Sequence, residues 1–149
     1  MTTKHTIATR VPLAGLGVVL AVSACASYVP PAGGPTAELR FAGRVDAVSL
    51  YSGVTCASRQ RVPKDRWVAT LVPADERVSV ELWSMQSTDI ETSWCSVVVS
   101  LVPRAGNKHV ILFHRKPESC GISTYAVTPT GDVTSVESVR LEPPRSCGN

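Results

Sequence analysis

The chain has no apolar run long enough to cross a bilayer as a helix. Its stretch from Val11 to Val22 falls short of the about 20 predominantly apolar residues that spanning requires. It has no Cys-x-x-Cys pair and no clustered histidine, which counts against a zinc site. It has no Gly-x-Ser-x-Gly segment, so one large class of serine hydrolase has no nucleophile elbow here. After residue 25 no stretch has a convincing amphipathic helical pattern. Nor is there much charge of one sign. Without residues 1–24 the chain loses Lys4 and Arg10, and 13 basic residues face 12 acidic ones. A net charge near +1 provides no field for nucleic acid.

What is present starts at the N-terminus. Basic residues (Lys4, Arg10) precede a short apolar run, and the run closes on Val22-Ser23-Ala24-Cys25. A basic head and a short apolar middle fit a signal peptide. The closing four residues resemble the lipobox of bacterial lipoproteins, an aliphatic residue and two small residues before a cysteine. The resemblance implies that the Cys25 thiol receives a diacylglyceryl group, that the chain is cut before Cys25, and that the new amine is acylated, with palmitate as the typical fatty acid. It places the protein in the bacterial cell envelope, lipid-anchored. Ala26 stands where an Asp would favour inner-membrane retention, which points to the outer membrane, facing the periplasm. Three other readings of residues 1–25 compete: an ordinary secretory cleavage site beside a cysteine, a poor membrane helix, and a buried helix. No cofactor is expected beyond the lipid chains on Cys25.

The expected organisation is a signal peptide over 1–24, a lipidated N-terminus and Pro/Gly linker over 25–37, and a folded domain over 38–149. Removing the signal from 149 residues leaves 125, enough for one domain with its own core. Residues 26–36 contain Pro30, Pro31, Gly33, Gly34 and Pro35 and read as a linker. Extended, such a linker would lift the domain on the order of 30 Å from the bilayer. Tyr28 would then rest at the membrane interface or in solvent. Four cysteines remain after Cys25: Cys56, Cys95, Cys120 and Cys147. In an exported chain an even count reads as disulfides.

From residue 38 onward period two prevails. Strands are expected at 39–41 and 45–51, 67–72, 77–83, 94–102, 110–113, 122–127 and 133–141. Val78, Val80 and Leu82 share one face, and Trp83 falls on the other. The three valines Val97–Val99 read as a strand covered on both faces. A short turn is expected around Thr88 to Thr92. About seven short strands separated by turn formers suggest an all-β fold, an antiparallel β-sandwich of immunoglobulin- or transthyretin-like type. Treating 95–102 and 109–115 as a hairpin turning at Ala105-Gly106 brings Cys95 near Lys116, within reach of Cys120. That favours Cys95–Cys120 and leaves Cys56–Cys147 as the second bridge. The succession Cys95, Pro103, Gly106, Phe113, Cys120 resembles the cores of small uncharacterised proteobacterial envelope lipoproteins, a likeness over about a quarter of the chain that implies a fold and no activity.

Chemistry-bearing residues are sparse. His109 and His114 lie five apart, so on one strand they point to opposite faces, and both are expected to be half exposed. Asp89 and Glu91 read as solvated loop residues rather than a glycosidase pair. The stretch 59–66 holds Arg59, Arg61, Lys64 and Arg66 and reads as an inter-strand loop able to touch an anionic partner, such as lipopolysaccharide phosphate or peptidoglycan carboxylate. Trp67, Trp83 and Trp94 belong either to the core or to a binding face. The expected function is a non-enzymatic binding or structural module anchored in the envelope, contacting an envelope protein or polymer. The alternative is an inhibitor of a periplasmic or invading hydrolase, of the lysozyme- or protease-inhibitor kind.

Overall fold

A computed structural model describes residues 26–51, 58–116, 119–136 and 138–143. Among them are eleven strands in two sheets that pack face to face as a β-sandwich. Ala26–Ser27 (β1), Arg59–Arg61 (β4), Ala47–Tyr51 (β3), Val78–Ser87 (β6), Thr92–Leu101 (β7) and Arg140–Glu142 (β11) form the first sheet in that order. Val133–Ser135 (β10), Ser119–Val127 (β9), Lys108–Lys116 (β8), Thr36–Gly43 (β2) and Thr70–Pro73 (β5) form the second.

Period-two patterning builds the core. Val78, Val80 and Leu82 of β6 face inward with Val48 and Leu50 of β3 and Val99 and Leu101 of β7. Across the sandwich they meet Leu39 and Phe41 of β2, Val72 of β5, and Ile111 and Phe113 of β8. Truncating one such side chain, Leu82→Ala for instance, removes about 2–5 kcal/mol. Val98, pointing outward, is also buried, in keeping with a strand covered on both faces. Gly43 closes β2 at φ 98°, opposite Phe113. A Cβ there would lie against the Phe113 carbonyl oxygen, so both conformation and space require glycine.

The sandwich differs from the expected one in three ways. Both sheets are mixed, because β1–β4 and β2–β8 pair in parallel. The single strand expected over 133–141 is two, β10 and β11, one in each sheet. Most consequentially, β7 and β8 are not a hairpin. The intervening loop crosses between sheets, and its backbone bonds go elsewhere: Pro103 O accepts from Asp75 N–H, Gly106 N–H donates to Thr36 O, and Asn107 O accepts from Glu38 N–H. β8 instead pairs with β9.

The linker expected over 25–37 is corrected as well. Ala26 and Ser27 add a strand beside Gln60 and Arg61, and β2 already begins at Thr36. Tyr28 is buried, with 9% of its surface exposed. Its hydroxyl donates to Leu71 O (2.8 Å), its N–H donates to Arg61 O (2.8 Å), and its carbonyl accepts from Arg66 (3.4 Å). A phenol ring sealed in the core outweighs the freedom that the neighbouring prolines and glycines suggest. The folded unit therefore includes residues 26–37, the span expected as linker. Cys25 itself lies outside the described residues.

Candidate functional site

Among the described residues the β6–β7 hairpin is the longest, with ten residues in each strand. Its first half is core. Its second half, from Met85 to Trp94, runs past the core into solvent. The turn is closed by polar groups: Thr88 N–H donates to Glu91 O (2.7 Å), and Thr88 Oγ1 accepts from Glu91 N–H (3.1 Å). Asp89 and Glu91 are exposed in this turn. Beside these polar residues stand apolar ones with no cover. Ile90 is 96% exposed, Trp94 70% and Met85 51%. Met85 and Trp94 are cross-strand neighbours, and half-buried Trp83 follows on the same outer face.

This projecting hairpin is fixed at its base. Cys95 on β7 is bonded to Cys120 on β9, with Cα atoms 6.1 Å apart. The expected bridge is present, but it ties the two sheets together instead of closing a β7–β8 hairpin. Next to it, Arg115 reaches from β8 across the sandwich. Its guanidinium donates to Ser84 O (2.9 Å), Ser93 O (3.1 Å) and Ser93 Oγ (2.7 Å). The Asp46 carboxylate accepts from Met85 N–H (2.7 Å). Two strands that would fray are thus held to the opposite sheet by one covalent and three charge-assisted links on either side of the exposed tryptophan. Exposed Arg44 and Lys116 flank a cleft of about 520 Å³ beside the hairpin, which also includes Gln86 and Arg115.

The basic stretch divides. Arg59 pairs with the Glu81 carboxylate (3.1 Å) and donates to Ser49 Oγ (3.3 Å) on the outer face of the first sheet, where Tyr51 O–H also donates to Glu81 (2.6 Å). Its charge is used within the fold. Arg61 is exposed on the same strand, and its side chain has no hydrogen bond or ion pair among the described residues. Lys64 and Arg66 sit on a 3₁₀ turn, Lys64–Arg66, with the Lys64 ammonium 5.6 Å from the Trp67 ring. The expected loop is therefore a strand plus a turn, beside β1. Of the three tryptophans, Trp67 is half buried and donates to Val62 O (3.1 Å). Trp83 is half buried and Trp94 is exposed.

The histidines do face opposite ways, but their exposure is unequal. His109 points inward and is only 2% exposed. Its Nε2 accepts from Arg104 N–H (3.2 Å), so the proton of the neutral ring is on Nδ1, which is buried without a hydrogen-bond partner among the described residues. Burial pushes its pKa below the ordinary histidine value. A cleft of about 670 Å³ opens beside it, lined by Asp75, Arg104, Asn107 and Ser138, but Nδ1 has no surface in that cleft. His114 points outward, and its Nε2 meets Ser123 Oγ at 2.9 Å on the open face of the second sheet. No carboxylate orients either ring among the described residues, and no three metal-ligating side chains converge among them.

Cys56 and Cys147, expected as a second bridge, both lie outside the described residues. Sequence reasoning missed Met85, Ile90 and Arg115. For Arg115 a signal exists: it has the inward parity of His109, Ile111 and Phe113, and a lone cation on a core face requires partners. Comparison with known proteins finds no matching family model, no matching curated protein and no matching solved structure.

Proposed function

We propose that the chain is a lipid-anchored, non-enzymatic binding module of the bacterial cell envelope, which presents the β6–β7 hairpin to a protein partner. One observation carries this reading: Trp94, Met85 and Ile90 are exposed on a hairpin whose base is fixed by the Cys95–Cys120 bridge and Arg115. Exposed apolar clusters mark interaction surfaces. Tryptophan is the residue most enriched among binding hot spots, and a rigid presentation lowers the entropy lost on association. Arg44 and Lys116 beside the hairpin favour a partner whose apolar anchor is flanked by carboxylates. His109 is buried, and His114 meets Ser123 on the open face of the second sheet with no carboxylate beside them among the described residues, so neither histidine stands out as the centre of this reading. The anchor rests on the lipobox-like residues Val22 to Cys25, and outer-membrane placement on Ala26.

A photo-crosslinking residue at Ile90 tests the contact in living cells, with the exposed Thr130 as control. Capture of a resident envelope protein at Ile90 and not at Thr130 supports the reading. Capture of a secreted hydrolase would favour the inhibitor alternative, in which the same hairpin tip enters an active-site cleft. Equal labelling at both positions contradicts a dedicated hairpin contact. The anchor is tested separately: Cys25→Ser should abolish incorporation of labelled fatty acid.

A further inference from the structure

The crossover from β2 to β3 is short, and two strands outrun it. β2 leaves β8 at Gly43, opposite Phe113, while β8 continues to Lys116. β3 first meets β6 at Ala47, opposite Trp83, while β6 continues to Ser87. Residues 44–46 join the two sheets between these points, held by Val45 N–H on Gly43 O (3.1 Å) and Asp46 N–H on Trp83 O (2.9 Å). A notch opens beyond the crossover, between the overhanging ends of β6 and β8. It consists of two clefts of about 310 and 520 Å³ that share Gly43, Arg44, Gln86 and Arg115. Its charge is one-sided. The side chains of Arg44 and Lys116 are exposed, with no hydrogen bond or ion pair among the described residues. Arg115 is half buried, and its three bonds go to uncharged oxygens of Ser84 and Ser93, so none of them neutralises its charge. Among the described residues the one carboxylate in the lining is Asp46, and it already accepts from Met85 N–H (2.7 Å). Three cations against one acid around a cleft attract anions.

We infer that this notch takes acidic side chains of a protein segment whose neighbouring apolar side chain rests on Met85 and Trp94. Met85 lines the smaller cleft and is the cross-strand neighbour of Trp94, so the cationic and apolar surfaces adjoin. Arg44 and Lys116 beside one cleft suit two or more carboxylates, one of them held by both arms of the Arg44 fork. The inference rests on the hairpin reading above and deepens it by naming the chemistry of the partner and the residues that read it. It does not depend on the state of Cys25.

The probe is a short peptide with glutamates on both sides of one leucine, and the same peptide with glutamines is its control. The full isotope-labelled chain in neutral detergent is titrated with each, and nuclear magnetic resonance follows the backbone amides of Gly43, Arg44 and Lys116 and the Trp94 indole. The expected result is saturable shifts at all four for the glutamate peptide, with affinity about tenfold above that of the glutamine peptide. Arg44→Gln combined with Lys116→Gln should lower that affinity about tenfold, since an exposed ion pair is worth up to about fivefold. Both side chains are in solvent, so the double variant keeps the fold. Arg61→Gln, which removes an exposed cation elsewhere, should change nothing. An equal loss in Arg61→Gln would show a response to net charge and overturn the notch as a site. Shifts at the Trp94 indole alone, the same for both peptides, overturn the notch and leave the hairpin contact standing. Shifts confined to Gly43, Arg44 and Lys116 support the notch and count against the hairpin anchor. Tighter saturation of the notch by inorganic phosphate than by the glutamate peptide overturns the acidic segment as its occupant.

Discussion

At one margin of the six-stranded sheet, β1 and β4 are two and three residues long, only β4 carries charge, and both are held by hydrogen bonds and one buried tyrosine. Further across the same sheet, β6 and β7 run ten residues each, end in apolar side chains, and are fixed by a disulfide and an arginine. The difference follows from what each region leaves uncovered. A very short edge strand resists unwanted strand pairing and needs little support. A long hairpin that projects beyond the core gains nothing from burial at its tip, so its geometry depends on links at its base. An exposed tryptophan therefore sits on a hairpin whose base is tied to the opposite sheet, while the arginines of β4 sit on a short strand beside β1.

The largest expected effect breaks the reinforcement. Cys95→Ser with Cys120→Ser should lower unfolding stability by about 3–4 kcal/mol, the chain-entropy value for a loop of this length. Urea denaturation with and without reductant reads it. The double variant matching the reduced wild-type chain supports the assignment. A slightly smaller loss is expected at the other margin. Tyr28→Ala removes a buried ring at about 3 kcal/mol. It should also speed amide exchange at Arg61 and Tyr28 while leaving Ser84 and Trp94 protected. Uniform acceleration would show that the two regions do not open independently.

His109 lies outside both regions and provides a pH control. Its pKa is lowered in the folded chain, so between that value and the unfolded value of about 6.5 the unfolded chain binds more protons. Stability from this group is complete above about pH 6.5 and declines as pH falls through that range. Urea midpoints at successive pH values should show the decline in wild type and a flatter profile in His109→Gln. The smallest change in stability is expected for Trp94→Ala, within about 0.5 kcal/mol, because its side chain is in solvent. The same variant should weaken capture by a cognate partner by about 2 kcal/mol or more, measured on the purified complex. A large stability loss without a binding loss would reverse the roles assigned to hairpin tip and base.

Much of the sandwich was legible because alternation in 77–83 records which face is dry, and the valine run in 94–102 marks a strand covered on both faces. The bridge between Cys95 and Cys120 was also found, though through a hairpin that does not exist. Alternation reports the parity of a strand and not which sheet it joins, so 95–102 and 109–115 read the same whether they pair or face each other. The crossing is decided by bonds that Pro103, Gly106 and Asn107 make to Asp75, Thr36 and Glu38, all distant in sequence. β4 was read as a loop because arginine is a poor marker of strands, while β1 is too short for any period to show. The hairpin tip escaped notice because exposure of Ile90 and Trp94 depends on how far β6 and β7 outrun the core. No local pattern encodes that length.

The proposed envelope anchor rests on one covalent event at residue 25. Intact mass and fragment spectra of the protein isolated from membranes test it most directly. The account predicts a chain that starts at Cys25 and carries a diacylglyceryl thioether and an N-linked acyl group. A free thiol at Cys25, or a chain still bearing residues 1–24, would contradict it.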